Sequence, residues 1–151
     1  MRFKRAQDIL DWVVVFHDRL ATLYHGLAKG REQERIGLLL EYLADHQEGL
    51  RDNLMDYETD VTRLLPTWYE QAPETPLPGD VQALVDFLEA QDTAEIVQLA
   101  IGFHDQLIDL YKWMQDKAPT DSLRELFANL AEMENHEKMR MVRDAQRLED
   151  Y

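Results

Sequence analysis

Apolar residues recur along this chain at helical spacing. Over residues 5–29, Ile9, Val13, Phe16, Leu20, Leu23 and Leu27 are separated by 4, 3, 4, 3 and 4 positions. That spacing draws one stripe down a helix, with Gly30 as the expected C-cap. A second stripe over 32–57 runs Ile36, Leu40, Leu43, Leu50, Leu54 and Tyr57, interrupted by Gln47. The texture then changes. "LLPTWYEQAPETPLPGD" holds four of the five prolines, which predicts a largely non-helical stretch. Residues 80–90, "DVQALVDFLEA", predict a short amphipathic helix. "DTAE" at 92–95 reads as a capping box that opens a third long helix to about 116. "APTDSLRELF" opens a fourth, capped by Thr120 or Asp121 and running to about 148.

The two halves repeat. "FHDRLATLY" at 16–24 and "FHDQLIDLY" at 103–111 agree at six of nine positions, an offset of 104 − 17 = 87. The same offset carries Ile9 to Ile96, Leu43 to Leu130 and Ala44 to Ala131 without a gap. The repeat is therefore a helical hairpin present twice, at 5–57 and 93–148, with a crossover over 58–92. A helix of about 27 residues is ~40 Å long, and the crossover can run back along it. The expected fold is all-α: one domain over 1–151, a four-helix bundle of ferritin-like topology, its two hairpins joined by a long crossover with a short helix.

At mid-helix, polar residues stand where leucines are expected. His17 and His104 take corresponding places on the first and third helices, and Gln47, flanked by His46, interrupts the second stripe. The fourth stripe reads Leu123, Phe127, Leu130, Glu134, Glu137 and Met141. Buried unpaired, these groups would cost several kcal/mol each, so they need partners. Two readings are open. His17, His46, His104, Glu134 and Glu137 are candidate ligands of a metal, with imidazole and carboxylate suiting iron, manganese or zinc. The same residues would also make a metal-free hydrogen-bonded network inside a non-catalytic interaction or scaffold bundle.

On these residues the chain resembles the ferritin-like superfamily, especially its rubrerythrin-like branch. The likeness covers both hairpins. It rests on the topology, on a tyrosine seven residues after each mid-helix histidine (Tyr24 and Tyr111), and on the phrases "LADHQ" at 43–47 and "LAEME" at 130–134. In that family the first and third helices each give a glutamate, and the second and fourth each give Glu-x-x-His. Here the glutamate positions hold His17 and His104. "QEGL" puts Gln47 and Leu50 on the second helix, and "ENHE" puts Glu134 and Glu137 on the fourth. One of the six ligand positions, Glu134, keeps the family's residue. A di-iron centre uses about four carboxylates, and this core offers two. One metal held by His17, His104 and Glu134, supported by Glu137 or His46, suits the residues better. The resemblance implies a small non-haem iron oxidoreductase or a metal-handling protein, and association along helix faces as a homodimer.

Composition narrows the alternatives. The net charge of −14 makes nucleic acid and anionic membranes poor partners. There is no cysteine, so thiol chemistry and thiolate-held zinc or iron–sulfur centres are excluded. "MRFKRAQDILDWVVVF" lacks a signal-peptide pattern, and "WVVVF" is the longest apolar run, so a cytoplasmic location is expected. No phosphate-binding glycine loop or catalytic triad is discernible, and no organic cofactor is expected. Tyr24 and Tyr111 read as core residues, and the methionines as packing. Asp18, Asp105 and His25 read as surface residues, and His136 as a weak ligand candidate. Trp68 and Tyr69 read as a plug on one side of the bundle. Val15 extends the apolar surface of the first helix toward Asp8, Asp11 and Asp18, so cover by the crossover or by a second subunit is expected near residues 12–16.

Overall fold

The computed structural model describes residues 5–71, 73, 86–90 and 92–150. Four long helices carry the fold: α1 Ala6–Ala28, α2 Glu34–Asp60, α3 Thr93–Asp116 and α4 Asp121–Glu149. A 3₁₀ turn, Thr62–Leu64, follows α2. α1 packs chiefly on α2 and α3 on α4, the two expected antiparallel hairpins, while α2 meets both α3 and α4. The stripes are the core: Ile9, Val13, Phe16 and Leu20 of α1 and Ile96, Ala100 and Leu107 of α3 are buried at matching heights. Phe16 and Phe103, one repeat apart, meet edge to face across the bundle with centroids 6.1 Å apart.

The caps are those the sequence names, with one exception. The Asp92 carboxylate accepts from the Glu95 N–H at 2.8 Å, and the Thr120 hydroxyl accepts from the Leu123 N–H at 3.2 Å. Gly30 differs. α1 ends at Lys29 in right-handed helical geometry, and Gly30 has no left-handed φ. The α1–α2 loop therefore turns without a glycine cap. α2 also runs three residues beyond the expected 57, to Asp60, before the proline-rich segment stops it.

The crossover is tied to both hairpins. Its first part supplies carbonyls to the free N–H groups of α1: Ala6 donates to Thr67 O at 3.0 Å and Gln7 to Leu65 O at 2.9 Å. Tyr69 is the plug, 3 % exposed, its hydroxyl donating to Met114 O at 2.8 Å. Trp68 is not part of it. It is 63 % exposed and lies under the Arg5 guanidinium, 5.6 Å from ring centroid to cation. Of the expected helix over 80–90, residues 86–89 are helical and 80–85 lie outside the described residues. Phe87 is fully buried between Tyr24 and Phe103, and Arg31 donates to the carbonyls of Phe87 and Ala90. On α1, Trp12 is buried, and Val15 is 43 % exposed in the single chain. No described helix is long and apolar enough to cross a membrane.

Candidate metal centre

Among the described residues, four buried side chains are polar: His17, Gln47, His104 and Glu134, each 5 % exposed or less. Each helix contributes one, at the height where its stripe is interrupted. They join in two pairs, one per hairpin. His17 Nδ1 lies 2.6 Å from Gln47 Oε1, and His104 Nδ1 lies 2.7 Å from Glu134 Oε1. Both pairs span 30 residues, so the repeat extends to its buried hydrogen bonds. An amide oxygen and a carboxylate are acceptors, so Nδ1–H is the donor in each pair. That fixes the tautomer of a neutral ring and leaves its Nε2 as a lone-pair nitrogen. A histidine that ligates a metal through Nε2 is held in this way, by a carboxylate or carbonyl behind Nδ1.

His46 completes the group. It stacks on Tyr42, and its ring centroid is 5.6 Å from that of His104. Its Nε2 is buried without a hydrogen-bond partner among the described residues. Its Nδ1 is 4.0 Å from Glu137 Oε2, beyond hydrogen-bond reach. Glu137 itself is 27 % exposed and also faces Arg140 at 3.8 Å. The five sequence candidates are thus brought to one region, with Glu137 at its edge. Three of their ligand atoms do not gather within 4.8 Å of one another among the described residues.

Burial controls the charges. It pushes the His17 imidazole below its ordinary value, against the nearby Glu134 carboxylate. It drives His46 down to about 4, helped by the proximity of His104. Burial would raise Glu134, but the His104 hydrogen bond and the surrounding imidazoles outweigh it, and its carboxyl lies below the usual value. At neutral pH the group therefore holds an ionised carboxylate beside neutral His17 and His46 rings.

A cavity of about 160 Å³ reaches this group between α2 and α4. His17, Tyr111 and Glu134 form its inner wall, and Asn53, Met133 and His136 its exposed rim. His136 stays at the surface, 3.9 Å from Glu132. Leu50 and Glu137, at the positions where the resembled family carries histidine, line the cavity between rim and wall.

A second group lies at the surface of the first hairpin. His25 is held by Glu41 at Nδ1 and by Glu48 at Nε2, both at 2.9 Å. With Asp45, His25 and Glu41 form the one trio of ligand atoms within 4.8 Å among the described residues. The sequence shows His25 but not this clamp, because its partners lie across the hairpin; Glu41 and Glu48, seven apart on one face of α2, are the signal. Both ring nitrogens are engaged by carboxylates and burial is partial, so this is an ion-pair clamp first. Asp18 and Asp105, expected at the surface, are exposed and paired there: Asp18 with Arg51 at 2.6 Å and Asp105 with Lys138 at 2.8 Å, again one repeat apart.

No family model and no curated protein sequence matches the chain. Among solved structures it is similar to a crystal structure from Thermotoga maritima, described as that of a candidate ferritin-like diiron-carboxylate protein. The TM-score is 0.59 at 14 % identity, and the match covers 97 % of each chain. The likeness is one of fold: this chain forms a ferritin-like four-helix bundle.

Proposed function

We propose that this protein binds a single divalent transition-metal ion at the centre of its bundle, through His17, His46, His104 and Glu134. One observation carries the reading: the buried Nε2 of His46 has no hydrogen-bond partner among the described residues. Leaving a buried polar nitrogen unsatisfied costs about 1–3 kcal/mol, and a cation removes that cost. The donor set fits. Three imidazoles and one carboxylate suit iron, manganese or zinc, and place one negative charge against a dication. The ferritin-like fold, shared with a structure described as that of a candidate ferritin-like diiron-carboxylate protein, supports metal binding.

The roles divide by partner. Gln47 fixes the His17 ring through Nδ1 and adds no charge. Glu134 fixes His104 and supplies the anionic charge. Tyr42 holds the His46 ring by stacking. Leucine side chains keep the surroundings of low polarity, which strengthens each electrostatic interaction there. A bound ion would supply Lewis acidity and, if it is iron or manganese, one-electron redox capacity. Metal handling and small non-haem oxidoreductase chemistry are the two activities compatible with that set.

A specific observation favours a second reading. His17–Gln47 and His104–Glu134 are already complete hydrogen-bonded pairs. A scaffold bundle without metal would need little more. Elemental analysis of untagged protein, followed by melting with and without chelator, separates the two. The metal reading expects about one ion per chain and a melting temperature raised by added metal. No metal, and melting indifferent to iron, manganese and zinc, would leave the scaffold reading.

A further inference from the structure

We infer that Glu137 is a carrier carboxylate, passing a divalent cation from the α2–α4 cavity to the buried imidazoles; this rests on the proposed metal site. The two acidic residues of the α4 stripe differ in how they are held. Glu134 is 5 % exposed and bonded to His104 at 2.7 Å. Glu137, one turn on, is 27 % exposed, and no hydrogen bond holds it among the described residues. One of its oxygens is 4.0 Å from Nδ1 of His46, whose side chain is 8 % exposed, and the other is 3.8 Å from the exposed Arg140 guanidinium. It therefore faces the interior and the surface at once, and touches neither closely.

The cavity supplies the path. Its rim is exposed at Met133, Asn53 and His136, and its inner wall is His17 and Glu134. Glu137 lines the space between. At about 160 Å³ it holds far more than the ~30 Å³ of one water, so a cation can exchange water for protein oxygen part of the way in. Shedding its waters all at once is the costly step for a small dication, and an intermediate carboxylate lowers that cost. A rigid, fully bonded residue would bind the ion and keep it. A loosely held one can swing and release it. The net charge of −14 draws cations to the surface generally, so the specific effect must be separated from the general field.

The test uses the full chain, freed of metal, with cobalt(II) as the probe. Uptake is followed by stopped-flow absorbance of its ligand-field bands, and stoichiometry by elemental analysis. Glu137→Gln is expected to slow uptake by about tenfold or more while the final stoichiometry stays at wild-type level. Glu132→Gln removes the same charge from an exposed neighbour outside the cavity lining, and should stay within about twofold of wild type. Met133→Trp, which narrows the rim, should slow uptake without altering the charge. Circular dichroism and melting establish that each variant is folded. Equal rates for Glu137→Gln and wild type would overturn the route and leave the metal site standing. Loss of the ion itself in Glu137→Gln would make Glu137 a resident ligand and overturn the carrier role. Wild type taking up no cobalt would refute the metal site, and the carrier role with it.

Discussion

The two hairpins are built on one plan and charged differently. In the first, His17 donates to the amide of Gln47; in the second, His104 donates to the carboxylate of Glu134, at the same spacing and nearly the same distance. Asp18–Arg51 and Asp105–Lys138 repeat in the same way at the surface. The repeat thus specifies packing, ring orientation and surface pairing twice over. Buried charge it specifies once. A core with two buried carboxylates would carry two negative charges, whereas this one carries a single charge, so a bound dication would leave the site with a net charge of +1. The symmetry belongs to the scaffold, and its breaking belongs to the site.

Making the halves alike is the most severe test of that difference. Glu134→Gln gives both hairpins an amide and removes the buried charge while keeping the side-chain shape. Metal affinity is expected to fall by about 100-fold, near 3 kcal/mol, as measured by competition against a chromophoric chelator. Helix content should be unchanged by circular dichroism. Undiminished affinity would mean that the asymmetry is incidental.

The next largest effect lies in His46, whose counterpart one repeat on is Met133. Its folded value of about 4 lies below the ordinary 6.5. The unfolded chain therefore binds more protons between those limits. The contribution is fully present above pH 6.5 and is lost as the pH falls toward 4, by roughly 2–3 kcal/mol. His46→Phe keeps the stacking on Tyr42 and removes the titration. In chelator, denaturant unfolding at pH 7 and pH 4 should show a smaller acid loss for this variant than for wild type. Parallel losses would show that His46 is not held neutral.

Much of this was legible in the chain. Spacing alone gives the four helices, because burial of one face imposes it, and the 87-residue offset gives His17 and His104 corresponding places on α1 and α3 before any coordinate is known. The caps at Asp92 and Thr120 are local chemistry and are read as such. What escaped depends on contacts between elements. Nothing near Trp68 says that it will lie under Arg5, or that the carbonyls of Leu65 and Thr67 will serve the first turn of α1. The pattern singles out Glu134 and Glu137 alike, yet only the helix register opposite them decides that one meets His104 and the other stands between His46 and Arg140. His25 looks like a surface residue until α2 brings Glu41 and Glu48 to it.

A smaller contrast lies within the first hairpin, where Asp11 of α1 faces Glu58 of α2. Burial, then the Asp11 charge and hydrogen bond, raise Glu58 to about 6 from 4.5, and Asp11 is raised as well, by burial first. Glu58 Oε1 is buried without a hydrogen-bond partner among the described residues. An acid with a raised folded value stabilises below its unfolded value, and that contribution is lost as the pH rises through about 6. Glu58→Gln should therefore stabilise the protein at pH 8 by about 1 kcal/mol after solvent screening, and give no gain at pH 4. Urea unfolding at the two pH values measures it. An equal effect at both would mean that the two carboxyls do not share a proton.

The smallest effect is expected at the His25 clamp, which the second hairpin lacks: the corresponding residue there is Lys112. The Glu48 hydrogen bond first raises the His25 imidazole above its ordinary value; burial opposes it, and Glu41 adds to the rise. A raised histidine contributes stability that is fully present below pH 6.5 and disappears as the pH rises through its folded value. The clamp ties the C-terminal turn of α1 to the middle of α2, but its side chains are 35–47 % exposed, so water and salt screen it. His25→Ala should cost less than about 1 kcal/mol at pH 6, and less still in about 0.5 M salt, where the Debye length is about 4 Å. At pH 9 the variant and wild type should unfold at the same denaturant concentration. A cost that persists unchanged at pH 9 would assign the residue a packing role in place of an electrostatic one. A second hairpin that holds together without any such clamp makes the small value the expected one: the helices are joined by their buried stripes, and the surface pairs adjust what burial has already decided.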